Sequence, residues 1–153
     1  MEYALHGLIP LLLVTVGIVA WRWLRTRPMQ MKALRELFQR DRARLEQMFF
    51  LAAASSGKPR GLRWKECQWS EQIEWVRDKQ TGQVHALVGV TISFEAIEGG
   101  DMEGIEAVGN LRDASAVFFF DREWRTGGRV IFNLSPSDAV EHFKANYERC
   151  EPV

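Results

Sequence analysis

Val84-His85-Ala86-Leu87-Val88-Gly89-Val90-Thr91-Ile92-Ser93-Phe94-Glu95 alternates. Val84, Ala86, Val88, Val90, Ile92 and Phe94 form one apolar row, opposed by His85, Gly89, Thr91, Ser93 and Glu95, with Leu87 the exception. Successive side chains of a strand point to opposite faces, so a period of two kept this long predicts a β-strand with one covered face. Gly89 in its middle predicts a bulge or a close neighbour, because a strand gives up packing at a residue without a side chain.

Moving outward, the same period recurs on both sides. Leu62, Trp64 and Glu66 alternate with Arg63, Lys65 and Cys67, Ile73 to Arg77 gives another extended run, and Asp78-Lys79-Gln80-Thr81-Gly82 has the composition of a hairpin turn. Downstream, 114–120 and 129–134 read as strands joined through Asp121 to Gly128. Val117-Phe118-Phe119-Phe120 is apolar on both faces, which places that strand centrally with a cover on each side. The sheet is thus expected to be an antiparallel meander of about five strands, at 62–69, 72–78, 84–95, 114–121 and 129–134, with neighbours in sequence paired.

Two helical patterns supply the covers. Leu34, Leu37, Phe38, Leu45, Met48, Phe49 and Ala52 recur at steps of three and four, drawing an apolar stripe that packs on the sheet or, through residues 34–52, on a second copy, or else lies against the inner leaflet with its arginines near anionic lipid. At the other end Ser135 is an N-cap, Pro136 sits where a missing N–H costs nothing, and Asp138 adds negative charge near the positive dipole end. Ala139, Val140, Phe143 and Tyr147 make the apolar face of this last helix, which is expected to run on through Glu148 and Arg149.

The first residues belong to another environment. Gly7 to Trp21 pass without a charge, and a helix from Tyr3 to Leu24 would be about 33 Å long at about 1.5 Å per residue, matching a hydrocarbon core of about 30 Å. Tyr3 at one end and Trp21 and Trp23 at the other suit the two headgroup levels. Arg22, Arg25 and Arg27 follow the run, Lys32 and Arg35 come next, and no basic residue precedes it. The positive-inside rule then predicts a single-pass span of the inner (plasma) membrane, N-terminus out, with the rest cytoplasmic. Glu2 in front and Trp21-Arg22-Trp23-Leu24-Arg25 behind do not have the form of a cleaved signal. The expected organisation is a transmembrane anchor with its basic flank (1–27), an amphipathic juxtamembrane helix and linker (28–57), and a small α+β domain (58–153). The fold class is α+β throughout, closed by the C-terminal helix.

Charge supports a bipolar chain. Twenty Lys and Arg balance twenty Asp and Glu, but residues 1–44 hold eight basic and three acidic side chains (net +5) and residues 45–153 hold twelve and seventeen (net −5). An acidic domain repels phosphate, so nucleic acid is not an expected partner. In a reducing compartment Cys67 and Cys150 are expected as free thiols. The three histidines, His6, His85 and His142, stand far apart and no Cys-x-x-Cys occurs, so no metal or other cofactor is expected. Ser56-Gly57-Lys58-Pro59 lacks the earlier glycine, the preceding strand and the hydroxyl of a phosphate loop. Glu98, Asp101, Glu103 and Glu106 fit no EF-hand spacing and read as a wet loop.

For function the sequence points to a non-catalytic protein-interaction module tethered to the bilayer. Trp64, Trp75 and Trp124 with Arg125 are the expected partner-binding residues, since Trp and Arg dominate interface hot spots. Packing in the core is the competing reading of those indoles. The alternative function is a small-molecule-binding or enzymatic domain with a pocket between sheet and helix near His85, whose imidazole could act as a base beside Glu95 or Glu74.

Overall fold

The computed structural model describes residues 31–150. It separates into two units, residues 1–34 and 35–153, and apart from the first four residues of the first helix the second holds all that follows. Among the described residues no helix is long and apolar enough to cross a membrane. The expected span Tyr3 to Leu24 lies outside the described residues, as do its interface residues Tyr3, Trp21, Arg22, Trp23, Arg25 and Arg27.

The elements run α1 (Met31–Ser55), β1 (Leu62–Asp78), β2 (Val84–Ala96), a 3-10 turn (Glu106–Gly109), β3 (Arg112–Asp121), β4 (Glu123–Arg125), β5 (Val130–Phe132), α2 (Pro136–His142) and β6 (Tyr147–Arg149). The fold is α+β, with one antiparallel six-stranded sheet in the order β4-β3-β2-β1-β6 and β5 also pairing β3.

The strand 84–95 is the centre of this sheet. It pairs β1 from Arg77↔Val84 to Leu62↔Ala96 and β3 from His85↔Phe119 to Ile92↔Arg112. Its even row faces α1, whose stripe enters as two aromatic knobs. Phe38 stands edge-on to Trp75, Phe118 and Trp124 at 5.4, 5.4 and 5.1 Å between ring centroids, and Phe49 meets Trp69 at 5.4 Å and Phe118 at 5.8 Å. Phe38, Leu45 and Phe49 of the expected stripe are buried, as is Ala53 beside it, whereas Leu37 and Ala52 are half-buried and Met48 is exposed, so the stripe turns only part of its length to the sheet. On its outer side α1 shows Met48 and Leu51.

The odd row faces α2. Val76, Leu87, Val117 and Ile131 from four strands pack with Ala139, Val140 and Tyr147. Leu87, out of phase with its polar neighbours in sequence, is the residue that seats this second helix. The two-sided cover expected for the third strand is present at Val117 and Phe118, which face α2 and α1 respectively. It thins out at Phe119 and Phe120, which are half-buried.

Three expectations need correction. The runs 62–69 and 72–78 are one strand, carried across Ser70-Glu71-Gln72 by a bulge between Trp69 and Ile73, with a second bulge between Trp64 and Glu66. The extra residues keep Trp69 opposite Val90 and Ile73 opposite Val88 on the α1 side. The last helix is shorter than expected, ending at His142. Tyr147–Arg149 leaves it to pair with Val76–Asp78, because the end of β1 offers unpaired backbone groups. Lys79 donates to the Asn146 carbonyl (2.9 Å) and Cys150 to the Trp75 carbonyl (2.8 Å). The meander is therefore closed at this edge by a strand rather than by a helix. Finally, 121–134 contains two three-residue strands, β4 folding back on β3 through Arg122 at φ 63°. Among the described residues the strand count is six.

Candidate functional site

α1 covers one face of the sheet along its length, whereas α2, seven residues long, covers only part of the other. Toward the far end the second face carries polar pairs: Arg63 with Glu95 at 2.7 Å, and Thr91 with Asp113. Beside the start of α2 the boundary becomes a trough of about 600 Å³. Gly89 is its floor. A Cβ there would lie 3.0 Å from the Ser70 Cβ and 3.6 Å from the Pro136 Cδ, so the close neighbour that Gly89 implied is the bulge of β1 on one side and the start of α2 on the other.

The walls come from every strand that crosses here. Ser70 and Gln72 of the bulge, Thr91, Asp113, Asn133 and the Ser135 to Asp138 turn line the trough. The Thr91 hydroxyl donates to Asp113 Oδ1 at 2.7 Å, and the Ser135 hydroxyl donates to Asp138 Oδ2 at 2.6 Å while accepting the Asp138 N–H at 3.2 Å. The N-cap chemistry legible in the sequence therefore also fixes one wall. Asp113 is held from behind, its backbone carbonyl accepting the Asn133 N–H at 2.8 Å. The arrangement presents oriented acceptors, hydroxyls and amides along a groove, which suits hydrogen bonding to a polar chain.

A second, smaller cleft of about 270 Å³ adjoins it on the α1 side of the sheet, lined by Pro59, Leu62, Phe94 and Phe132, with Arg112 and Asn133 shared between the two clefts. Pro59 is positioned by the Trp64 indole, whose N–H donates to the Lys58 carbonyl at 2.8 Å. That bond ties Lys58 and Pro59 to β1.

The expected site residues fall elsewhere. Trp124 is 1% exposed and Trp64 7% exposed, so their indoles stand inside the aromatic core and not on a face that a partner can touch. Trp75 is half-buried beneath the Arg35 guanidinium, 5.6 Å from its ring centroid. Arg125 is exposed and paired with Glu123 at 2.9 Å. His85 lines neither cleft. It is buried against Tyr147 and Phe119, its Nδ1 without a hydrogen-bond partner among the described residues. Burial holds its pKa below the ordinary imidazole value, with Asp78 opposing and Arg129 adding to the effect. Cys67 is pushed up to about 11 by burial and by Glu66, which keeps the thiol protonated. Among the described residues no group of three or more His, Cys, Asp or Glu could hold a metal ion. The acidic loop is stitched to itself, Glu103 accepting the Gly99 N–H at 2.8 Å.

Arg112, Asp113, Ser135, Asp138 and Phe132 were not singled out as site residues by sequence. The one signal that pointed to the place was Gly89, a gap in an otherwise regular strand. No family model, curated protein or solved structure matches the chain.

Proposed function

We propose that the chain is a single-pass, membrane-anchored protein whose α+β domain works on the cytoplasmic side as a non-catalytic protein-interaction module. The observation that carries this reading is the half-covered second face of the sheet, where a trough crosses β1, β2 and β3 and presents hydrogen-bonding groups held in place from behind. A groove of that kind recognises an extended polypeptide segment through its backbone and polar side chains. Support for the anchor comes from the apolar run Tyr3 to Leu24 and the basic residues Arg22, Arg25 and Arg27 behind it. A second reading, small-molecule binding, is favoured by the trough's volume, which lies within the about 300–1,000 Å³ usual for ligand sites. Such a ligand would sit over Gly89, away from His85.

The test places a photo-crosslinking residue at Gln72 of the full chain in its membrane. A discrete protein adduct is expected that is lost in Asp113→Arg and is not formed from a crosslinker at Lys79, on the turn beyond the trough. Equal adducts from both positions, or adducts indifferent to Asp113→Arg, would remove the module reading. A reporter active only in the cytoplasm, fused after Val153, should be active; activity of a periplasmic reporter there would reverse the orientation.

A further inference from the structure

Resting on the module reading, we propose that the smaller cleft captures the C-terminal residue of a partner polypeptide, an apolar side chain entering between Pro59, Leu62, Phe94 and Phe132 and its terminal carboxylate meeting Arg112.

Size sets the first limit. At about 270 Å³ the cleft falls below the about 300–1,000 Å³ usual for drug-sized ligands, and it takes one branched or aromatic side chain rather than a cofactor. Its walls are nearly all carbon. Phe94 and Phe132 face each other with centroids 6.3 Å apart, and Phe132 is 36% exposed although it is a large apolar residue. Burying such a surface favours an apolar occupant.

Charge sets the second. Arg112 pairs opposite Ile92 on the α1 side of the sheet and lines the cleft itself. Among the described residues no carboxylate lies within ion-pair distance of its guanidinium, whose one hydrogen bond there, to the Ala107 carbonyl, is long at 3.4 Å. A guanidinium with open donors beside an apolar slot calls for an anion close to an apolar group.

Geometry decides which anion. In an extended segment the residue next to an apolar anchor points to the opposite face, and the next residue on the same face is about 6.6 Å further on, twice the rise of a strand. An internal Asp or Glu would therefore be turned away or displaced from Arg112, which lies at the slot's own wall. A terminal carboxylate shares its Cα with the anchoring side chain. The residues upstream then pass over Arg112 and Asn133, which both clefts share, into the polar trough.

The test uses the full chain in detergent micelles and a fluorescent array of hexapeptides, random at five positions and ending in leucine, each as the free acid and as the C-terminal amide. Free acids should be retained at least tenfold better than amides. Arg112→Gln should abolish the difference, Arg112→Lys should restore part of it, and Phe132→Ser should weaken all binding without moving the melting temperature by more than a few degrees. Equal retention of acids and amides, or decanoate displacing every peptide as an acyl-chain ligand would, overturns the proposal. If acids and amides bind alike while the Gln72 adduct persists in Arg112→Gln, terminal capture is wrong and the module reading stands. Loss of specific adducts in the wild type removes both.

Discussion

The imidazole of His85 stands edge-on to the ring of Tyr147, centroids 5.6 Å apart. Tyr147 is the first residue of β6, so this contact joins the middle of the sheet to the short strand that closes its edge. A neutral ring packs there; an imidazolium whose Nδ1 has no partner among the described residues would not, because a buried charge needs hydrogen-bonded compensation. The folded pKa is depressed while the unfolded value is about 6.5, so the unfolded chain binds more protons as pH falls below that value. Stability is therefore full above about pH 6.5 and declines below it, by at most about 1.4 kcal/mol per pH unit. Denaturant melts between pH 7.5 and 5 should show this slope, and His85→Gln should flatten it. A slope unchanged in the variant would assign the effect to other groups.

Phe118 and Phe119 are adjacent and have different fates. Phe118 is fully buried between Phe38 and Phe49, so Phe118→Ala should cost about 3–5 kcal/mol and Phe118→Asp should abolish a cooperative melt. Phe119 looks across at His85 and is half-buried. Phe119→Asp should leave a folded protein with a lowered Tm, contrary to what the run of three phenylalanines implies in sequence. Thermal melts of the three variants decide it.

That pair shows where sequence reasoning reached and where it stopped. Period two located 84–95 and the even-row core because burial on one face writes itself directly into alternation. The Ser135 cap was legible because it is a local hydrogen bond. Tyr147 fitted a helical stripe equally well, and only the distant, otherwise open end of β1 pulled it into a strand. Trp64 and Trp124 carried no mark that distinguishes a core indole from an exposed one. The site escaped for a related reason. Arg112, Asp113, Ser135 and Phe132 come from three separate segments, and their meeting depends on how far α2 extends over the sheet, which no local pattern encodes.

Gly89 provides a check on the trough floor. An alanine Cβ would sit 3.0 Å from the Ser70 Cβ and 3.2 Å from its Oγ, tighter than ordinary contact. Gly89→Ala should destabilise by about 1–3 kcal/mol, and Ser70→Gly in the same chain should recover most of the loss. Independent, additive costs in the double variant would mean that the two residues do not press on each other.

Arg42 holds the bulge that forms one wall of the trough. From α1 its guanidinium donates to the Ser70 carbonyl at 2.6 Å, to Glu71 at 3.0 Å and to Glu46 at 2.7 Å, with the side chain only 15% exposed. Glu71 is 93% exposed and adds little, since water screens such a pair. The carbonyl bond matters more, because the Ser70 to Gln72 bulge departs from the register with β2 and this bond is what ties it to the helix. Arg42→Ala should cost about 1–3 kcal/mol. Arg42→Lys should recover only part, since an ammonium lacks the planar fork that reaches three acceptors at once. Amide exchange should quicken at 69–73 in both variants and stay unchanged in 84–95. Exchange that is uniform across β1 and β2 would show that the bulge keeps its shape without the helix.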